Sequence, residues 1–337
     1  MPKDIIVIGT SAGGIETLRV LVAGLPSDFA ASVFIVLHTS AESPGMLPAI
    51  LRRAGDLPAD NARDGERIQT GRIYVAPPDH HLIIEPGIMR TTRGPKENRF
   101  RPAIDPLFRS AAQVYGPRVI GVILTGYLDD GTAGLWMVKQ LGGTAVVQDP
   151  EDALVDSMPR NALQYVNVDY CLPVAEIAPL LVRLTNKAAE EGVYEVPEET
   201  KIEVNIAKAE QALEAGVLKL GEPSNYACPE CHGVLLQLKE ENRIRFRCHT
   251  GHAYSLESLV AELDEAIEES LWSAIRSVEE KVLLMRHLAE HANESQSGAD
   301  AEQFLSLAQS AQRRADLIRQ AVMQGGAAST AAAGDTK

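Results

Sequence analysis

The sequence predicts a doubly wound α/β domain with a mostly parallel sheet, followed by a small Cys/His module and a C-terminal helical hairpin. Three observations carry this expectation. Short apolar runs alternate with amphipathic helical patterns over residues 1–186. Three of the four cysteines fall within residues 228–248. Residues 255–323 repeat apolar side chains at helical spacing. Strand alternating with helix is the rhythm of a parallel sheet covered on both faces.

The runs Ile5–Ile8, Val33–Leu37, Val119–Leu124 and Thr144–Val147 read as buried strands. Helical patterns follow near residues 14–24, 44–54 and 132–141. Gly71–Ala76 and His81–Glu85 read as shorter strands around Pro77-Pro78-Asp79, placed as an antiparallel addition at a sheet edge. Residues 102–115 form a helix entered through Asp105-Pro106, with Leu107, Phe108 and Ala111 on one face. Residues 187–222, rich in Ala, Glu and Lys, read as a linker, and 223–254 as the Cys/His module. Residues 255–324 carry the helical region, with Leu256, Leu259, Val260, Leu263 and Ile267 opening its stripe and a break at Asn293–Gly298. The Gly/Ala/Ser/Thr-rich tail 325–337 reads as disordered.

Length suggests about two domains. No run of eighteen apolar residues occurs, so no membrane span is expected. Met1-Pro2-Lys3-Asp4 leads straight into a strand without a signal-peptide pattern, which makes the cytoplasm the default location. The net charge of −14 is uneven. Residues 1–186 hold 17 basic and 20 acidic side chains, a net of −3; residues 187–337 hold 15 and 26, a net of −11. Such a balance argues against nucleic acid as a partner, since that footprint is basic. Cys171 stands alone in an apolar stretch and reads as core.

Polar groups follow three of the strands. Ser11 follows the first, in Gly9-Thr10-Ser11-Ala12-Gly13-Gly14. His38 follows the second, in Leu37-His38-Thr39-Ser40. Asp129 and Asp130 follow the third, in Leu124-Thr125-Gly126-Tyr127-Leu128-Asp129-Asp130-Gly131. Ligands bind beyond the carboxyl ends of parallel strands. Neighbouring strands would therefore bring a hydroxyl nucleophile, an imidazole base and an orienting carboxylate into one crevice. The plain alternatives are a phosphate cradle, a structural histidine and a helix cap. Gly9–Gly14 does not match G-x-G-x-x-G, however, and no Gly-Lys-Ser/Thr follows. The order Ser, His, Asp also disfavours the α/β-hydrolase fold, whose order is Ser, Asp, His.

Residues 1–186 resemble the catalytic domain of chemotaxis-type protein-glutamate methylesterases, the CheB family. The resemblance runs in family order through Ile8–Gly14, Leu37-His38-Thr39, Ser43-Pro44-Gly45, Tyr74–Leu82, Arg101–Phe108, Leu124-Thr125-Gly126, Asp130-Gly131 and Ser157-Met158-Pro159-Arg160. It implies a serine hydrolase acting on glutamyl methyl esters of chemoreceptor-type signalling proteins, with glutamine deamidation alongside. It implies Ser11 as nucleophile, His38 as general base and Asp130 as orienting carboxylate, with Asp129 the alternative. It places the oxyanion and substrate contacts near Ala12 and Tyr127, and it implies no cofactor for catalysis. Tyr127-Leu128 stands where the family commonly has Met-Gly. The family often carries an N-terminal receiver domain, whereas this chain opens on the catalytic strand. Two rival functions remain: a signalling adaptor on the same fold, and a hydrolase for another ester or amide.

Cys228-x2-Cys231, then sixteen residues, then Cys248-x3-His252 is zinc-ligand spacing. The expectation is a zinc-ribbon-like module holding a structural Zn²⁺ through Cys228, Cys231, Cys248 and His252, with His232 and His249 as competing ligands. Leu235–Leu238 and Ile244–Arg247 supply its strands, with Glu241-Asn242 as their turn. The helices beyond are read first as a hairpin packed on itself or on a second copy, and second as an arm for partner docking.

Overall fold

The computed structural model describes residues 2–189, 192, 194–209, 211–238, 243–294 and 298–332. The chain divides into two units, Met1–Leu259 and Val260–Lys337.

In the first unit the elements run β1 (Ile5–Thr10), α1 (Gly14–Ala23), β2 (Ser32–Leu37), α2 (Leu47–Ala54), β3 (Ala59–Asn61) and β4 (Arg72–Val75). A hairpin, β5 (His81–Glu85) and β6 (Ile88–Thr92), precedes α3 (Ile104–Tyr115). Then come β7 (Val119–Ile123), α4 (Thr132–Gln140), β8 (Thr144–Gln148), α5 (Ser157–Tyr165), β9 (Tyr170–Leu172) and α6 (Val174–Thr185). The main sheet has the order β3-β4-β2-β1-β7-β8-β9, and every pairing in it is parallel. The chain builds outward from β1 through β2, then returns to add β7 on the other side. The reversal at β1 is the topological switch point, where parallel sheets open a crevice at their carboxyl ends.

Strand side chains alternate between two apolar layers, as the two-residue period requires. Ile6, Ile8, Val33 and Ile35 pack with Leu18 and Leu21 of α1, Leu51 of α2 and Leu181 of α6. Val7, Phe34 and Val36 pack on the opposite face with Leu107 and Phe108 of α3, Leu135 of α4 and Met158 of α5. Burying each such side chain contributes roughly 1.5–3 kcal/mol. The sheet is thus doubly wound, as the alternation of signals implies.

Three expectations change in the first unit. The β5–β6 pair forms its own antiparallel two-stranded sheet. It does not extend the main sheet, because β3 occupies the edge beside β4 in parallel register. Its Leu82, Ile84 and Met89 enter the core beside α3 instead. Cys171 is exposed, since it faces outward on the edge strand β9. The segment read as a linker carries α7 (Glu198–Ala207) and the short α8 (Ala212–Ala215). Its Val204 and Ala207 pack on Ile83 of the hairpin.

A second, antiparallel sheet follows in the order β10 (Gly221–Ala227), β11 (Val234–Leu238), β12 (Arg245–Cys248), β13 (Ala253–Ser255). Leu235, Phe246, Tyr254 and Leu259 bury its two innermost cysteines, Cys228 and Cys248. The turn expected at Glu241-Asn242 lies outside the described residues. Helix α9 (Leu256–Glu294) starts at the end of this unit.

The second unit holds the rest of α9 and α10 (Gly298–Ala332). Val282 and neighbouring Val278 and Met285 cluster with Ala308 and Ala311, and Arg319 pairs with Glu279. Helix α10 extends to Ala332, so part of the segment expected to be irregular is helical; 333–337 lie outside the described residues. No described helix is long and apolar enough to cross a membrane.

Candidate active site

The strand ends converge as the crevice argument requires. Ser11 leaves β1 with its N–H donating to the Thr125 carbonyl at 3.0 Å, which ties the end of β1 to the end of β7. The Thr125 hydroxyl donates to the Ala12 carbonyl at 2.9 Å, and Gln148 Oε1 receives the Thr125 N–H at 2.9 Å. Gly126 sits against the nucleophile loop. A Cβ there would stand 2.8 Å from the Ser11 Cβ and overlap Met158, so this position admits no side chain.

His38 follows β2, and its N–H donates to the Thr10 carbonyl at 3.2 Å. Its Nε2 lies 2.7 Å from Asp130 Oδ2, with the two side chains 3% and 2% exposed. The ring stacks on Phe100, with centroids 3.7 Å apart and planes 10° from parallel. Its other nitrogen, Nδ1, is buried without a hydrogen-bond partner among the described residues.

Asp130 is held from several sides. Its Oδ2 also accepts the Ile104 N–H at 2.7 Å, and its Oδ1 accepts Asn98 Nδ2 at 2.9 Å. Ile104 opens α3, so the carboxylate sits at a helix N-terminus, where negative charge is favoured. Burial alone would raise its pKa. The hydrogen bonds from His38, Ile104 and Asn98 outweigh that and hold it below the usual value of 3.8. Asp130 is therefore a carboxylate, which can only accept, and Nε2 of His38 is the donor.

Asp129 goes elsewhere. Its Oδ1 accepts the Ser255 hydroxyl at 2.6 Å. Burial, helped by the charge of Glu257, pushes its pKa up to about 8 despite that hydrogen bond. Asp105 is likewise raised to about 6 by burial and by the Asp130 charge.

Ser11, Ala12, His38, Arg99 and Phe100 line one open cleft of about 890 Å³. Tyr127 is not among its lining residues and stands 62% exposed. Leu128, beside it, adopts a left-handed φ of 61°, which favours the glycine common at this place in the resembled family. Ser11 and His38 share the cleft without a hydrogen bond between them, a looseness usual in ligand-free sites. Three contributors escape sequence reading: Asn98, Phe100 and the Ile104 N–H. None of the three carries a local sequence signal; Asn98 takes a left-handed φ of 48°, which asparagine tolerates.

The family model for CheB methylesterase matches residues 6–181. This chain belongs to the CheB methylesterase family. A Leptospira interrogans relative, whose name gives it as a protein-glutamate methylesterase/protein-glutamine glutaminase, is 42% identical over 192 residues, 57% of this chain and 100% of that protein. A Thermotoga maritima relative, named protein-glutamate methylesterase/protein-glutamine glutaminase, is 35% identical over 184 residues, 53% of this chain and 54% of its own length. The crystal structure of the Thermotoga maritima CheB methylesterase catalytic domain superposes with a TM-score of 0.52 at 35% identity, covering 54% of this chain and 98% of that one. Relatives named protein-glutamate methylesterases are carboxylic ester hydrolases, and the family-model match lies within the α/β part of the chain.

Beyond the CheB region, Cys228, Cys231, Cys248 and His252 converge, their ligand atoms all within 4.8 Å of one another. Cys231 Sγ lies 3.6 Å from Cys248 Sγ, and His252 Nδ1 lies 3.7 Å from Cys228 Sγ and 3.6 Å from Cys248 Sγ. A tetrahedron with metal–sulfur bonds of about 2.3 Å has edges of about 3.8 Å, so this donor set fits a four-coordinate thiophilic metal. His249 stays outside the group; its ring packs against Gly233. His232 takes a left-handed turn, φ 60°, its N–H bonded to the Cys228 carbonyl at 2.8 Å.

Proposed function

We propose that the chain hydrolyses γ-glutamyl methyl esters on chemoreceptor-type signalling proteins through Ser11, His38 and Asp130. The observation that carries this reading is the buried His38–Asp130 pair, 2.7 Å long, whose His38 lines the same cleft as Ser11. Ser11 Oγ attacks the ester carbonyl while His38 Nδ1 accepts its proton. The resulting imidazolium stays paired with Asp130, and its proton then goes to the leaving methoxide, released as methanol. Water, deprotonated by the same nitrogen, cleaves the acyl-enzyme to free glutamate and restore Ser11. A glutamine side chain entering the same steps would release ammonia.

The tetrahedral oxyanion needs preorganised donors. The Ser11 N–H is already committed to Thr125, which leaves the Ala12 N–H, beside the N-terminus of α1, as the first donor. The backbone N–H of Tyr127, next to the Gly126 that packs on Ser11, is assigned the second, with the Tyr127 side chain turned to solvent. The Cys/His cluster is assigned a Zn²⁺; with four protein ligands, the ion would supply a structural cross-link rather than an open coordination position. Incubation with methylated chemoreceptor membranes tests the substrate class. Methanol release by the wild type is expected. Hydrolysis of small esters with no methanol from receptor would instead favour a hydrolase of another ester.

A further inference from the structure

One asparagine joins the Cys/His module to the triad. Asn98 Nδ2 donates to Asp130 Oδ1 at 2.9 Å and to Asp105 Oδ2 at 3.0 Å. Asn98 Oδ1 accepts the Ser255 N–H at 2.9 Å and the Ser258 hydroxyl at 3.3 Å. The Asn98 backbone N–H donates to the Ala253 carbonyl at 2.8 Å. The partners fix the orientation of the amide, because a carboxylate accepts and a peptide N–H donates. Ala253 and Ser255 form β13, the strand that directly follows the fourth member of the Cys/His cluster, His252.

The neighbouring contacts act on the same loop. Glu97, fully buried, pairs with Arg109 of α3 at 2.5 Å and with Arg247 of β12 at 3.0 Å. The Lys96 carbonyl receives the Ala253 N–H at 3.2 Å. Phe100, two residues beyond Asn98, forms the stacked face of His38. Residues 96–100 are thus clamped by the module on one side and touch both members of the His38–Asp130 pair on the other.

We infer that Asn98 is a positioning residue of the esterase site, and that strand Ala253–Ser255 of the Cys/His module sets its place. This rests on the Ser11–His38–Asp130 reading. Without Asn98, Oδ2 of Asp130 keeps His38 and the Ile104 N–H, but Oδ1 retains only the Asp105 N–H at 3.4 Å. The carboxylate can then turn, and the imidazole it orients turns with it. Asn98 is buried and is not among the residues lining the cleft, so it makes no substrate contact of its own.

The test uses the full-length protein with p-nitrophenyl acetate as the probe ester. Asn98→Gly allows the left-handed backbone and removes the side chain with its amide. It is expected to lower kcat at least about tenfold while KM stays within about twofold. Asn98→Asp, which sets a third carboxylate against Asp130 and Asp105, is expected to do the same. Unchanged kcat in Asn98→Gly, or a loss seen equally in KM, overturns the positioning role. Hydrogen exchange on the wild type tests the module and needs no variant to fold. Treatment with a zinc chelator is expected to speed exchange in residues 96–101, and unchanged exchange there overturns the module's part. Ser11→Ala is run in parallel. Activity surviving in that variant removes the triad reading itself, a different outcome from an active Asn98→Gly beside an inactive Ser11→Ala.

Discussion

His38 presents Nε2 to Asp130 at 2.7 Å, which leaves Nδ1 as the nitrogen available to Ser11. Familiar serine triads use the ring the other way round, with Nδ1 toward the carboxylate. The resting proton therefore belongs on Nε2. Nitrogen-15 spectra of labelled histidine are expected to show the neutral form of His38 as the Nε2–H tautomer. An Nδ1–H tautomer would contradict the assigned direction of proton transfer.

Asp130 and Asp129 are adjacent in sequence but face different partners. Asp130→Asn would favour the wrong tautomer of His38, and a fall in kcat of about 10⁴-fold is expected, as for other triads. Asp129→Asn can still accept the Ser255 hydroxyl and is expected to keep kcat within about threefold, far from the loss a triad member shows. Parallel kinetics on the two variants check the assignment; equal losses would refute it.

The parallel sheet, its helices and the three strand-end residues were legible because apolar runs, turn glycines and motif spacing are local signals. Asn98 was not. Its role comes from Ser255, 157 positions away, and no local pattern links them. The α7 helix was hidden for a related reason. Glu203 on it lies in a stretch rich in Ala, Glu and Lys, yet it is buried between Arg245 and Arg247 of β12, at 2.6 and 2.7 Å. Cys171 misleads in the opposite sense, since an apolar neighbourhood in sequence does not reveal that its strand lies at the edge.

Gly126→Ala is expected to abolish activity while leaving most of the fold. The new Cβ would stand 2.8 Å from that of Ser11, and Met158 blocks retreat on the other side. The nucleophile loop would have to shift, and displacement by even 1 Å costs on the order of 10²-fold in rate. Steady-state kinetics beside a thermal melt separate lost geometry from unfolding.

Asp129 makes stability fall as pH rises. Folded, it keeps its proton up to about pH 8; its ordinary value is 3.8. Folding therefore takes up a proton across that window, and the fold is disfavoured progressively from about pH 4 to about pH 8. Asp129→Asn removes this term. Its Tm is expected to exceed that of the wild type by a few degrees at pH 9, with the difference closing toward pH 4. A gap independent of pH would show that folding does not raise the Asp129 pKa.

Cys228 is buried among the proposed metal ligands. Cys228→Ala is expected to lose bound zinc in elemental analysis and to lower the Tm by several degrees, because metal binding and folding are coupled. Full zinc retention would remove Cys228 from the ligand set.

The central claim is that Ser11 is a nucleophile activated by His38. A fluorophosphonate probe reacts covalently with such a serine, and tandem mass spectrometry locates the adduct. A single adduct on Ser11, absent from His38→Gln, is the expected result. An adduct on another residue, or labelling of Ser11 that persists undiminished without His38, would contradict the account.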